Sequence, residues 1–186
     1  SSQFSFELPK ENSFGVLEFG MIFWGRKTNP ANLEILSEEK QTKAITKLLE
    51  NAVKKDSLAM KDSNSLALAR IGSGMPAIPN EMGPNELPQE CGLQDDAVNF
   101  EKGCYLGQEV MARIRSMGQV QRVLLPSTVE TGTPETLPAN LFLEDKKVGE
   151  LKSCISGTDE NSGFGMALVR RNLLSQIKAS GLSLLP

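Results

Sequence analysis

Apolar positions along this chain follow two spacings, and the switches between them predict its elements. Residues 14–24 are nearly all apolar, interrupted by Gly15, Glu18 and Gly20, which predicts one strand or a pair with an aromatic-rich face. Residues 25–32 read as a turn. Ile45, Leu48, Leu49, Ala52 and Val53 then recur at helical spacing and predict a core-packing helix. Ser37 suits its N-cap, Glu38 and Glu39 its first turn, and Lys54 and Lys55 its last. Residues 66–71 alternate larger and smaller apolar side chains up to Arg70, which predicts a strand, with a turn over 72–76. Val110, Met111, Ile114 and Met117 predict a second helix beginning near Gly107. Beyond Gly118 the apolar runs shorten to 120–125, 141–143, 147–151 and 164–169, divided by Pro134, Pro138, Gly149, Gly157 and Gly163. Short strands at that spacing predict a small antiparallel sandwich or barrel. The expected fold is therefore α+β, with an α+β part over residues 1–117 and a small antiparallel β-barrel over 118–186.

Composition narrows the chemistry. The 186 residues are long enough to bury a sizeable core, and 39% hydrophobic with 23% charged content is ordinary for a globular protein. A formal net charge of −3 argues against generalised nucleic-acid binding. No apolar run is long enough to cross a bilayer, so no membrane partner is expected. Three cysteines, Cys91, Cys104 and Cys154, leave one unpaired in any intramolecular scheme. Such sparse usage points to a reducing compartment, and the cytoplasm is the expected location. There is no histidine, and no cysteine spacing suits zinc. Any chemistry falls to carboxylates, Lys102, Cys104, Tyr105 or a bound cofactor, and no protein-held metal is expected.

Charge is unevenly distributed. No Lys or Arg falls between Arg70 and Lys102, while Glu81, Glu86, Glu90, Asp95 and Asp96 do. This acidic, proline-bearing connector reads either as a solvated loop face or as a device that orders the following segment electrostatically. That segment is basic, with Lys102, Arg113, Arg115 and Arg122. It contains Lys102-Gly103-Cys104-Tyr105-Leu106-Gly107-Gln108-Glu109, a tight turn feeding a helix. A thiol beside a lysine and a helix N-terminus is a candidate for a lowered pKa. The same residues also suit a compact structural turn.

The octapeptide, followed by Ala112-Arg113 and then Gly118 and Arg122, resembles the signature of the YgfZ family, folate-binding proteins implicated in iron–sulfur cluster assembly and related to the glycine-cleavage T-protein, an aminomethyltransferase. Arg70-Ile71 with Gly74 and Pro76, and Leu87-Pro88-Gln89-Glu90, extend the resemblance over residues 66–186. It implies ferredoxin-like segments forming a ring, N-terminally incomplete here, completed by a C-terminal barrel, with tetrahydrofolate in the ring. It further implies that Cys104 is the acting thiol, with Lys102 stabilising its thiolate. Arg70, Tyr105, Gln108, Glu109 and Arg113 become candidates for holding the cofactor or its loop. The implied partners are iron–sulfur assembly or client proteins.

Two alternatives accompany this expectation. A true aminomethyltransferase would move a one-carbon unit onto tetrahydrofolate. The T-protein pattern, however, has an acid where this chain has Gly72 and an arginine where it has Gln108. An acid is the usual grip on a pterin, through charge-assisted hydrogen bonds, and Glu81 or Glu86 are the available substitutes. The other alternative is a non-catalytic interaction module that has lost folate binding.

Overall fold

The computed structural model describes residues 8–10, 13–25, 32–54, 59, 61–129, 133–157 and 162–179. By contact, the chain groups into two compact units, Ser1–Leu66 and Ala67–Pro186. The elements are α+β throughout, with two separate antiparallel sheets.

In the first unit, the run expected to form one strand or a pair is a hairpin of β1 (Phe14–Leu17) and β2 (Gly20–Trp24), and β2 also pairs with β3 (Leu33–Leu36). Ile22 on the central strand is 2% exposed, whereas Phe14, Val16 and Leu36 on the flanking strands are exposed. The Trp24 indole N–H donates to the carbonyl of Pro9 at 2.7 Å. Gly25 donates to the Asn32 carbonyl at 2.9 Å, while residues 26–31 of the expected turn lie outside the described residues. The expected helix is α1 (Thr42–Lys54), entered through a 3-10 turn over Glu39–Gln41. Ser37 is not its cap: the turn is preceded by Glu38 and has no side-chain cap, so the entry is tightened by backbone bonding instead. Ile45, Leu49 and Val53 are half-buried and Leu48 is exposed, so the apolar stripe is only partly covered.

The strand expected over 66–71 is instead part of α2 (Ser63–Gly72). Leu and Ala are strong helix formers, so the alternation Leu66-Ala67-Leu68-Ala69 carries little strand preference. Asp62 fixes the start by accepting the Ser65 backbone N–H at 2.8 Å. Hydrogen bonding by the Ser65 side chain, and then by this backbone N–H, holds the Asp62 carboxyl below its ordinary value. Ile71, one turn beyond Ala67, is the position α2 buries.

The second unit is built on β4 (Arg122–Val129), β5 (Ala139–Leu143), β6 (Lys146–Ser156) and β7 (Gly163–Arg170), in the order β4-β7-β6-β5. β4 and β5 are the sheet's edges; no pairing between them among the described residues closes a barrel. The expected strands are all present, but β6 runs past the expected end at residue 151 and stops at Ser156. β7 explains the architecture. Its near-continuous apolar run is buried on both faces, and alternate residues enter different cores. Ala167 and Val169 pack with Leu151, Leu173 and Ile177, the last from α5 (Leu174–Ala179). Met166 and Leu168 pack with Leu124, Ile71, Cys91 and Leu93. Each fully buried Leu, Val or Met contributes about 1.5–3 kcal/mol of transfer free energy. Residues between α2 and β4, including short α3 (Gln94–Ala97), thus form the cover of one sheet face.

Candidate functional site

The cysteine segment enters α4 (Gln108–Met117) as expected. Asn99 sets its approach: its side-chain oxygen accepts the backbone N–H groups of Glu101 at 2.8 Å and Lys102 at 3.2 Å. Gly107 precedes the helix at φ +86°, a left-handed conformation that glycine adopts without penalty. Gly118 closes the helix at φ +83°, donating to the Ile114 carbonyl at 2.9 Å. Met111 is the residue α4 buries; Val110 and Met117 of the predicted stripe are exposed.

Cys104 stands exposed four residues before α4. The Lys102 ammonium lies 4.5 Å above the Tyr105 ring, so its charge rests on the aromatic face. Arg115 makes the matching contact with Phe100 at 4.4 Å, tying α4 to its own entry loop. Glu109 is exposed in the first turn and complements the helix dipole, while Gln108 is half-buried. The structure thus groups Lys102, Cys104, Tyr105, Gln108 and Glu109. Arg113 lines a separate groove with Ile114 and Met117. Arg70 is committed to the connector.

There the structure corrects the solvated-loop expectation. Glu81 is fully buried and accepts both Arg70 guanidinium nitrogens, at 2.9 and 2.8 Å, together with the Ala77 backbone N–H. Arg70 also donates to the Met75 carbonyl at 2.7 Å. Glu90 is gripped in the same bidentate manner by Arg122, at 2.8 Å from both Nε and Nη2, and accepts the Leu87 backbone N–H. The Glu90 carbonyl in turn accepts the Leu124 N–H at 2.7 Å, binding the connector to β4. Glu86 meets Lys152 of β6 at 2.9 Å and the Gly83 N–H at 2.8 Å. Burial pushes the Glu86 carboxyl up, but its bonds to Lys152 and Gly83 outweigh this and hold it below its ordinary value. The hydrogen bonds that Arg122 donates to Glu90 correspondingly raise its guanidinium. Asp95 is exposed, and the Asp96 side chain lies outside the described residues. Sequence gave no local sign of these pairs, because Arg122 and Lys152 lie 32 and 66 residues beyond their partners.

Beneath the cysteine segment is a cavity of about 370 Å³, walled by Leu87, Pro88, Ala97, Val98, Val110 and Met111. Asn99, Lys102 and Tyr105 supply its polar groups. The Tyr105 hydroxyl is buried without a hydrogen-bond partner among the described residues. An apolar cavity with an unspent hydroxyl suits part of a planar ligand. It does not suit the grip expected for a pterin, because no carboxylate lines it. Glu81 and Glu86, the possible substitutes, are spent on Arg70 and Lys152. Gly72, where an acid was expected, ends α2 in open space. Among the described residues, the polar complement of a folate site is therefore incomplete.

Fold and site define a class: an α+β protein presenting an unpaired cysteine from a Lys-Gly-Cys-Tyr turn at a helix entrance. No family model matches the chain. It is 28% identical over 140 residues to a mitochondrial iron–sulfur cluster assembly factor IBA57 homolog of Coccidioides immitis, covering 63% of this chain and 33% of the relative. It is 36% identical over 66 residues to the tRNA-modifying protein YgfZ of Sodalis glossinidius, covering 35% and 20% respectively. A chloroplastic protein of Arabidopsis thaliana with a provisional transferase name is 28% identical over 106 residues, covering 57% and 24%. The chain spans between a fifth and a third of these relatives. Over these parts of its length the chain is therefore similar, at modest identity, to proteins named YgfZ and IBA57.

Proposed function

We propose that this chain supports iron–sulfur cluster assembly or repair in the manner of YgfZ and IBA57 proteins, with Cys104 as the acting thiol. The observation that carries this is the exposure of Cys104 on a loop fixed by Asn99, Gly107 and the Lys102–Tyr105 contact. Cys91 is buried, and its thiol is pushed up to about 11 by burial and then by the Glu90 and Glu86 carboxylates. Burial also raises Cys154. A thiol that ligates iron gives up its proton, and a group that stays protonated and buried is a poor ligand. Among the described residues, no three His, Cys, Asp or Glu side chains lie together as a metal site. On this proposal Cys104 supplies one ligand to a cluster in transit, and a partner assembly protein supplies the others.

Tetrahydrofolate binding belongs to the same proposal and is supported by the motif resemblance and the apolar cavity at Tyr105. When bound, the cofactor would supply one-carbon chemistry. Tyr105 would donate its spare hydroxyl, Gln108 and Glu109 would hold the loop, and Lys102 or Arg113 would meet an acidic tail. The division into a folate-binding-type part over 1–117 and a barrel-type part over 118–186 is likewise proposed, as is residence in a reducing compartment such as the cytoplasm. The unpaired state of all three cysteines supports the latter.

The test is rescue of iron–sulfur enzyme activity in cells lacking the protein. Cys104→Ala is expected to accumulate normally and fail to rescue; full rescue would remove Cys104 from the mechanism. A thermal-shift titration with tetrahydrofolate tests the cofactor separately, with no shift counting against it.

A further inference from the structure

Two adjoining grooves in the second unit, of about 850 and 480 Å³, share the wall formed by residues 119–122. Their lining holds four guanidiniums, those of Arg113, Arg122, Arg170 and Arg171, against the one carboxylate of Glu90. The fold itself creates this imbalance. Arg122 opens β4, Arg170 ends β7, and they stand directly opposite in an antiparallel register, so both side chains leave the same sheet face. Like charges in that arrangement repel unless an anion stands between them. Glu90 answers Arg122 with both carboxylate oxygens and is thereby used up. Arg113, Arg170 and Arg171 are exposed and have no acidic partner among the described residues. The backbone is fixed beneath them, since the Arg171 N–H donates to the Gln121 carbonyl at 2.9 Å. Gln119, Gln121 and Asn172 add neutral amides along the same wall.

We propose that these grooves dock an acidic segment of a partner protein, with Arg170 and Arg171 as the principal anchors. Guanidiniums hold carboxylates through paired, charge-assisted hydrogen bonds, and rows of them are a recurring means of reading acidic motifs. The lining favours such a peptide over single-stranded nucleic acid, which needs aromatic side chains for base stacking; these grooves have none. The overall charge of −3 disfavours nucleic acid as well. The principal anchors, Arg170 and Arg171, line no part of the cavity at Tyr105.

The test is fluorescence anisotropy of a labelled oligo-glutamate peptide titrated with the protein at low and near-physiological salt. Saturable binding that weakens as salt rises is expected. The doubly substituted Arg170→Glu, Arg171→Glu protein should bind at least about tenfold more weakly, because attraction becomes repulsion. Arg170→Lys with Arg171→Lys should fall between the two, since lysine keeps charge without the planar fork. Unchanged thermal unfolding of these variants establishes that the fold persists. Absence of saturable binding, equal binding by the charge-reversed protein, or tighter binding of an oligouridylate of equal charge would overturn the proposal.

Discussion

The connector over 77–99 and the cysteine segment over 102–109 are neighbours in sequence and opposites in structure. The connector has little regular structure, yet it buries Glu81 and Glu90 completely or nearly so and fixes both by bidentate guanidinium pairs. The cysteine segment leads into a regular helix, yet Cys104 and Leu106 stand in solvent. Regularity and rigidity are therefore separate properties here. A loop without secondary structure holds its shape when each buried carboxylate has a cation and backbone donors around it. A motif free of such obligations leaves its thiol available.

Substitutions sharpen this contrast, beginning with the largest expected cost. Glu81→Gln leaves the Arg70 charge without its partner in a largely buried site, which should cost about 3–5 kcal/mol, measured as a fall in the denaturant midpoint. Lys152→Met should cost about 2–3 kcal/mol at neutral pH, since Glu86 keeps its burial and loses its cation. Its pH dependence is equally informative. A carboxyl held below its ordinary value stabilises the fold above that value and ceases to do so as pH falls through the folded value. In Lys152→Met burial is opposed mainly by the Gly83 N–H, so acid unfolding should begin at higher pH than in the unsubstituted protein. If both variants unfold at the original midpoint, the connector is not held by its ion pairs.

Costs should be smaller in the cysteine segment. Gly107→Val forces a branched residue to φ +86°, at about 1–3 kcal/mol of backbone strain, with no crowding because the added Cβ meets open space. Cys104→Ala should change stability by about 0.5 kcal/mol or less, as for an exposed site without buried partners. A Cys104→Ala protein destabilised as much as Glu81→Gln would make the motif a structural turn.

Local patterns in the sequence predicted most of the longer elements but not the ties between them. The 14–24 hairpin, α4 with its glycine entry, and the C-terminal strands follow from spacing and turn residues that act within a few positions. α2 was misread because Leu-Ala alternation imitates a strand's period, and the deciding Asp62 cap precedes the apolar run. β3 is short, and three of its four residues are apolar and exposed, which hides any face. The acidic connector was open to two readings because its cations arrive from α2, β4 and β6. Of the candidate site residues, the cysteine segment stays together because it is contiguous. Arg70 belongs to the connector's frame for the same nonlocal reason.

Each region carries one cysteine, so residue-resolved alkylation of the native protein tests the contrast most directly. Cys104, exposed, should react in the folded protein. Cys91, buried in one core cluster with Ile71 and Leu124 and raised to about 11, should react only as the protein unfolds. Cys104 labelled well before Cys91 is the predicted result; equal labelling of the two would contradict the account.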